Sequence, residues 1–184
     1  MLADGKIVKA LQDDNPHLFW AIRGAGHSFG VAVEFNFQAY DQKSPVYAGQ
    51  MLFPAIDKTL EAVVNFGNAF SERNDPDASL VIGIVSPPMI LGFARALTYF
   101  YNGLEENAIR IFGPTAERGP IINNTKMRPY IEVNSMLNHL MEPGRCKLSK
   151  GASFMMPLSV SFLHTLIGGL EDLQTRVPDA KQSI

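Results

Sequence analysis

The chain has 184 residues, 46% of them hydrophobic and 18% charged, with 16 Lys plus Arg against 18 Asp plus Glu. That balance excludes collagen-like, low-complexity and disordered classes, and at this length a compact fold buries about 70% of the unfolded chain's surface. A near-neutral charge without a basic run leaves no electrostatic footprint for nucleic acid or an anionic membrane, so neither is expected as a partner.

One domain is the default expectation and two small ones the alternative. The single cysteine, Cys146, excludes an internal disulfide and a multi-cysteine zinc site. The start, Met1-Leu2-Ala3-Asp4-Gly5-Lys6, lacks the charged and apolar blocks of a secretory signal, and the compartment stays open. Two uncharged stretches, Ala78 to Ala94 and Gly151 to Leu170, are interrupted by Ser86-Pro87-Pro88 and by Pro157, His164 and several hydroxyls. They read as core segments rather than membrane spans.

In chain order, Asp4-Gly5 is a hairpin-turn signal, yet only three residues precede it. Residues 1 to about 40 are therefore expected to be the tail of a larger sheet, with the chain cut at its front. Asn15-Pro16 predicts the N-cap and first position of a short apolar helix through Ile22. A glycine-rich turn follows, Arg23-Gly24-Ala25-Gly26-His27-Ser28-Phe29-Gly30. Beyond it Val31, Val33, Phe35, Phe37 and Ala39 alternate with Ala32, Glu34, Asn36, Gln38 and Tyr40, which predicts a half-buried strand. The polar run Asp41-Gln42-Lys43-Ser44-Pro45 marks a boundary, giving domains at residues 1–44 and 45–184.

The second region changes rhythm. Val46 to Phe53 predicts a strand; Ile56, Leu60, Val63, Val64, Gly67 and Phe70 recur at helical spacing; Ser79 to Val85 and Arg95 to Tyr101 predict two strands; Leu104 to Phe112 predicts a helix. Strand, helix, strand, strand, helix is most of a ferredoxin-like unit. The fold class is thus α+β, an antiparallel sheet covered by helices. Further on come an extended segment (Ile121 to Lys126), a helix (Tyr130 to Met141), a strand (Lys147 to Met156) and a terminal helix. That helix has Ser159 or Ser161 as its cap and an apolar stripe of Leu163, Leu166, Ile167, Leu170, Leu173 and Val177.

The glycine turn is the one chemical motif. Gly24-Ala25-Gly26 with Gly30 differs from the dinucleotide fingerprint G-x-G-x-x-G, because Phe29 stands at the third glycine and the turn leaves a helix instead of opening one. Two readings stand: a nest of backbone N–H donors for a pyrophosphate, and a plain tight turn.

The run from Asp4-Gly5 through Asn15-Pro16-His17-Leu18-Phe19-Trp20-Ala21-Ile22-Arg23-Gly24-Ala25-Gly26-His27-Ser28-Phe29-Gly30-Val31 to Tyr40 resembles the FAD-linked oxidoreductases related to the berberine bridge enzyme, of the vanillyl-alcohol oxidase superfamily with its PCMH-type FAD-binding domain. Ala96 to Asn102 and Lys126-Met127-Arg128-Pro129-Tyr130, running into Ser135-Met136-Leu137, are similar to that family's substrate domain. The resemblance implies a C-terminal remnant of a FAD-binding domain followed by a substrate domain, and a hydride passed from an alcohol or amine carbon to flavin N5, with oxygen as reoxidant. It implies FAD as cofactor, contacted by Gly26, Ser28, Gly30 and Val31, and a small-molecule substrate. It also implies that the flavin-linking and catalytic-base segments lie outside this chain, so no catalytic residue is assigned, and the chain alone is expected to bind FAD weakly or not at all. The alternative is a non-catalytic, truncated substrate-domain module acting as a binding or assembly partner. Sheet edges left unpaired predict self-association.

Where the family has Gly-Asn, this chain has His27-Ser28; His27 is either a phosphate donor or a hydrogen-bonded turn residue. Arg23 either pairs with a phosphate or caps the preceding helix. Tyr99 and Tyr101 share one strand face, lining a cavity or packing in the core. His17, His139 and His164 lack metal-ligand spacing, and no metal site is expected. Gly26-His27-Ser28-Phe29-Gly30 matches G-x-S-x-G, but without the strand before and helix after that a nucleophile elbow needs. Cys146 reads as a core or surface thiol.

Overall fold

The computed structural model describes residues 1–42, 44–86, 92–138, 153 and 155–177. The chain divides into two compact units, Met1–Asp41 and Gln42–Ile184.

In the first unit, the turn at Asp4-Gly5 forms as its sequence dictates. Gly5 has φ +81°, its N–H donates to the Leu2 carbonyl (3.0 Å), and the Leu2 N–H donates to the Lys6 carbonyl (2.8 Å). Helix α1, Pro16–Ala25, starts with proline in its first turn. Asn15 precedes it in the left-handed region, and its side chain does not cap the helix. The amide donates instead to the Lys9 carbonyl and the Asp14 carboxylate, both at 2.9 Å. The strand expected over residues 31–40 is absent. Val31 and Met1 exchange two backbone hydrogen bonds, 2.9 and 2.7 Å, but Ala32 to Tyr40 carry no ladder. Phe35 and Phe37 do share a face, their rings stacked 5.7 Å apart. Period-two apolarity thus selected a face; a strand also requires a neighbour to supply its hydrogen bonds, and none pairs here.

The second unit follows the predicted order closely. Strand β1 is Val46–Pro54, helix α2 Asp57–Arg73, strands β2 Ala78–Val85 and β3 Ala94–Tyr101, and helix α3 Glu105–Ala116. Two short strands, β4 Ile122–Asn123 and β5 Lys126–Arg128, divide the segment expected to be extended, and both pair with β1. The order is β2-β3-β1-β4 with every pair antiparallel, so the strands of each hairpin-and-helix unit interleave as in a split βαβ arrangement.

Alternation along β1 and β3 explains the core. Tyr47, Met51 and Phe53 of β1 and Leu97, Tyr99 and Tyr101 of β3 are buried on one face with Val63 of α2 and Ala108, Ile111 and Phe112 of α3. At Gly49 a side chain is impossible: a Cβ there would stand 2.4 Å from the Thr125 Cα, because the link between β4 and β5 crosses β1 at that point. Helix α2 ends at Asn74, whose left-handed φ of 49° terminates it.

Helix α3 continues past Gly113-Pro114, where the sequence suggested a stop. Proline removes one donor near the helix end, while Thr115, one residue on, is buried and donates to the Phe112 carbonyl at 2.5 Å; core packing outweighs the local break. The helix expected from Tyr130 is a 3-10 turn over Tyr130–Ser135. The strand expected over residues 147–156, Cys146 and His139 lie outside or largely outside the described residues. The last helix, α4 Val160–Arg176, is capped by Ser159, which accepts from the Phe162 N–H at 3.1 Å. Asn68 of α2 holds the segment before it by two reciprocal bonds to Leu158, 3.0 and 2.8 Å, and Leu163 packs on Leu60 and Val64.

Candidate functional site

Each unit presents one surface with chemical character. In Met1–Asp41 it is the glycine turn. Helix α1 runs through Gly24 and Ala25, and a 3-10 turn over Gly26–Ser28 follows; the Phe29 N–H closes it onto the Gly26 carbonyl at 3.1 Å. The glycines do different work. Gly30 has φ +153° and a Cβ there would collide with the Met1 carbonyl oxygen at 2.5 Å, so the backbone itself requires it. Gly24 and Gly26 are outside the left-handed region, Gly26 at φ −50°, and a Cβ on either meets nothing within 4 Å. Neither local conformation nor packing inside this chain requires glycine there, although helical glycine costs about 1 kcal/mol relative to alanine.

Ser28 and His27 are exposed, and Val31 is exposed while its backbone pairs with Met1. Arg23 sits in the last turn of α1, favourable against the helix dipole, with its guanidinium over the Phe19 ring at 5.4 Å. The turn therefore offers an open flank at Gly26 at a helix C-terminus, where carbonyls rather than N–H groups point outward.

In Gln42–Ile184 it is the sheet face opposite the aromatic core, where Ala48 and Ala96 are buried and Gln50, Leu52, Thr98 and Phe100 half-buried. Three rows cross it: Ser79, Phe100 and Ala48; Val81, Thr98 and Gln50; Gly83, Ala96 and Leu52. Small residues flatten it. At the centre the half-buried Gln50 side-chain amide donates to the Thr98 hydroxyl at 3.0 Å, while the Gln50 backbone carbonyl accepts from the Asn124 N–H; the side-chain oxygen Oε1 has no partner among the described residues. An aromatic edge flanks this platform, Phe100 and Tyr130 meeting edge to face at 6.3 Å. Arg128 braces its rim, donating to the Ala48 carbonyl and the Asn124 carbonyl, both at 3.0 Å.

Tyr99 and Tyr101 lie on the other face and are core residues, which decides between their two readings. The Tyr99 hydroxyl donates to the Thr115 hydroxyl at 2.8 Å, and burial holds its pKa far above the usual phenol value, that hydrogen bond opposing only in part. Sequence reasoning missed Gln50 and Thr98. Only the β1–β3 register, Gln50 opposite Thr98, brings them together. Among the described residues no cluster of three metal-ligating side chains occurs, and no helix is long and apolar enough to cross a membrane.

Comparison with known proteins supplies the class. The chain is 35% identical over 144 residues to the FAD-linked oxidoreductase pgmH of Aspergillus terreus, covering 72% of this chain and 29% of that protein. It is 25% identical over 164 residues to an FAD-linked oxidoreductase of Dictyostelium discoideum, covering 89% of this chain and 35% of that one. Over 83 residues, 44% of this chain and 17% of the other, it is 34% identical to the FAD-dependent monooxygenase sdcF of Emericella nidulans. The chain is a relative of the FAD-linked oxidoreductases, and it spans about a third of the length of the first two of these proteins. No protein-family model and no solved structure matches it.

Proposed function

We propose that this chain forms part of an FAD-dependent oxidoreductase related to the berberine bridge enzyme, residues 1–44 contributing to the flavin-binding domain and residues 45–184 serving as the substrate domain. FAD, when bound, supplies acceptance of a hydride from an alcohol or amine carbon and passes the electrons to oxygen. Gly26, Ser28, Gly30 and Val31 border the cofactor, Gly30 and Val31 from a backbone held against Met1. The Gln50–Thr98 platform, with the Phe100–Tyr130 edge, receives a small-molecule substrate: the Gln50 side-chain oxygen Oε1 accepts from a substrate hydroxyl or amine, and the aromatic edge excludes water beside it.

The observation that carries this reading is the pair of unrequired glycines, Gly24 and Gly26, within a chain related to FAD-linked oxidoreductases. Side-chain-free positions that the fold does not need leave room for a partner group to approach the backbone.

The test is titration of the ¹⁵N-labelled chain with FAD. Expected are amide shifts concentrated on Gly24 to Val31, with weak affinity, and loss of those shifts in Gly26→Ala. Shifts that fall elsewhere and spare Gly24 to Val31 would remove these residues from the cofactor assignment, and micromolar binding with turnover would overturn the expectation that most of the grip on FAD lies outside this chain.

Self-association belongs to the same reading. Among the described residues β2 is paired only with β3, leaving its other edge open. Light scattering is expected to show concentration-dependent oligomers that a lysine introduced at Val81, which is exposed, does not remove but a proline in β2 does.

A further inference from the structure

The chain passes from β4 to β5 through the tripeptide Asn123-Asn124-Thr125. It fits the pattern Asn-x-Ser/Thr with a middle residue other than proline, and that pattern occurs nowhere else in the 184 residues. Asn123 ends β4, which among the described residues pairs with β1 alone, so the other side of β4 is open.

The fold holds this tripeptide from its backbone and its acceptors. The Asn124 N–H donates to the Gln50 carbonyl at 3.0 Å, and the Asn124 Oδ1 accepts from the Gln50 N–H at 2.6 Å. The buried Tyr47 hydroxyl donates to the Thr125 hydroxyl at 2.8 Å. Thr125 in turn donates to the Asn123 Oδ1 twice, from its hydroxyl at 2.7 Å and from its N–H at 3.0 Å. The two ends of the Asn123 amide are therefore in opposite situations. Its oxygen accepts two bonds, while its Nδ2 has no partner among the described residues and the residue is exposed.

We propose that Asn123 is an acceptor site for N-linked glycosylation, modified through its Nδ2. The donor class is an oligosaccharide carried on a lipid pyrophosphate, and a cellular transferase supplies the catalysis. The bond from the sugar's anomeric carbon to the pyrophosphate oxygen breaks, its electron pair leaving with the pyrophosphate; that carbon bonds to Nδ2, which releases one proton. Nothing is oxidised or reduced. The fold accommodates the product because a glycan is bulky and hydrated, and Asn123 offers it a surface position at a sheet edge. The substituted Nδ2 keeps one N–H, and Oδ1 keeps both of its donors, so the chain of bonds from Tyr47 through Thr125 to Asn123 survives. Asn68 provides the contrast: its Nδ2 donates to the Leu158 carbonyl at 3.0 Å, and substitution there would disturb that bond. The inference does not rest on the flavin reading, and FAD titration and the experiment below can fail independently.

The full 184-residue chain is secreted from a yeast host behind a cleavable leader and weighed by mass spectrometry before and after peptide-N-glycosidase treatment in H₂¹⁸O. Expected is one glycan per chain and, after its removal, an aspartate carrying ¹⁸O in place of Asn123. Asn123→Gln and Thr125→Val are expected to abolish the mass increment, while Thr125→Ser, which keeps the hydroxyl, retains it at lower occupancy. A chain secreted without a glycan, or a glycan that survives Asn123→Gln, overturns the site. Melting supplies a second measurement, one that the sequence pattern alone does not fix. The glycosylated chain and the same chain made in bacteria are expected to have Tm values within about 2 °C of each other. A fall of several degrees on glycosylation would mean that the folded chain engages Nδ2, and the proposal fails.

Discussion

Met1–Asp41 and Gln42–Ile184 have equally strong apolar patterning in sequence and opposite outcomes in structure. In the second unit the alternation on β1 and β3 is answered by α2 and α3, and Tyr99, Phe112, Met51, Leu60 and Leu97 are almost fully buried. In the first no residue is buried, and Trp20, Phe35, Phe37 and Tyr40 are largely exposed. An apolar period specifies which face a segment would bury; what it packs against decides whether that burial stabilises anything. The first unit therefore carries its information in local geometry, at the Asp4-Gly5 turn and Gly30, and the second in long-range packing.

The sharpest way to break this contrast is a pair of aromatic truncations. Phe112 touches the rings of Tyr47, Phe70 and Tyr99, with centroids between 4.7 and 6.4 Å, and is completely buried. Phe112→Ala is expected to cost about 3–5 kcal/mol by urea unfolding. Phe35→Ala, removing a ring that stands mostly in solvent, is expected to stay within about 0.5 kcal/mol. Comparable losses at both positions would mean that the first unit has a core of its own.

Glycine substitutions sharpen the same contrast from the backbone side. Gly49→Ala forces a methyl against the Thr125 backbone and is expected to destabilise by about 1–3 kcal/mol, because the link between β4 and β5 must shift. Gly26→Ala places a methyl in open space at a helix end, so stability is expected to be unchanged or to rise by up to about 1 kcal/mol, even as the FAD-dependent amide shifts disappear. A stability loss at Gly26 would assign that glycine to folding and take away the main support for the cofactor reading.

What was legible in the sequence follows the same division. The βαββα order and the Ser159 cap depend on local periodicity and capping chemistry, and the structure agrees with them. The extension of α3 through Pro114 and the shortening of the helix at Tyr130 depend on packing that no local window contains. The Gln50–Thr98 pair required the strand register. The burial of Arg95 did leave a trace: a charged residue in an apolar run, on the parity of Leu97, Tyr99 and Tyr101, is predicted to face the core. That its Nε and Nη1 lack a partner could be read only from the fold.

A more modest effect separates the polar from the apolar contribution inside the second unit. Tyr99→Phe keeps the ring packed and deletes only the hydroxyl that donates to Thr115, whose own hydroxyl still bonds the Phe112 carbonyl. A loss of about 1 kcal/mol is expected, well below that of Phe112→Ala. An equal loss would shift the weight of this core from ring burial to its hydrogen-bond chain.

The smallest expected effect belongs to the first unit and tests whether its local geometry is populated at all. Asp4 accepts from the Lys6 N–H at 3.1 Å and pairs with the Lys6 ammonium at 3.0 Å, and these contacts, the backbone bond foremost, hold its carboxyl below the usual aspartate range. A carboxylate with a depressed folded pKa contributes stability that is present above its unfolded value and lost as pH falls through the folded one, so the turn is expected to loosen only in acid below the ordinary aspartate range. Both groups are exposed, and solvent screening keeps the gain slight. The ¹³C carboxyl signal of Asp4, followed by NMR, is expected to titrate at lower pH in the folded chain than in the urea-unfolded chain. Coincident titration would mean that the Asp4-Gly5-Lys6 turn is not held, leaving residues 1–41 without the local order that distinguishes them.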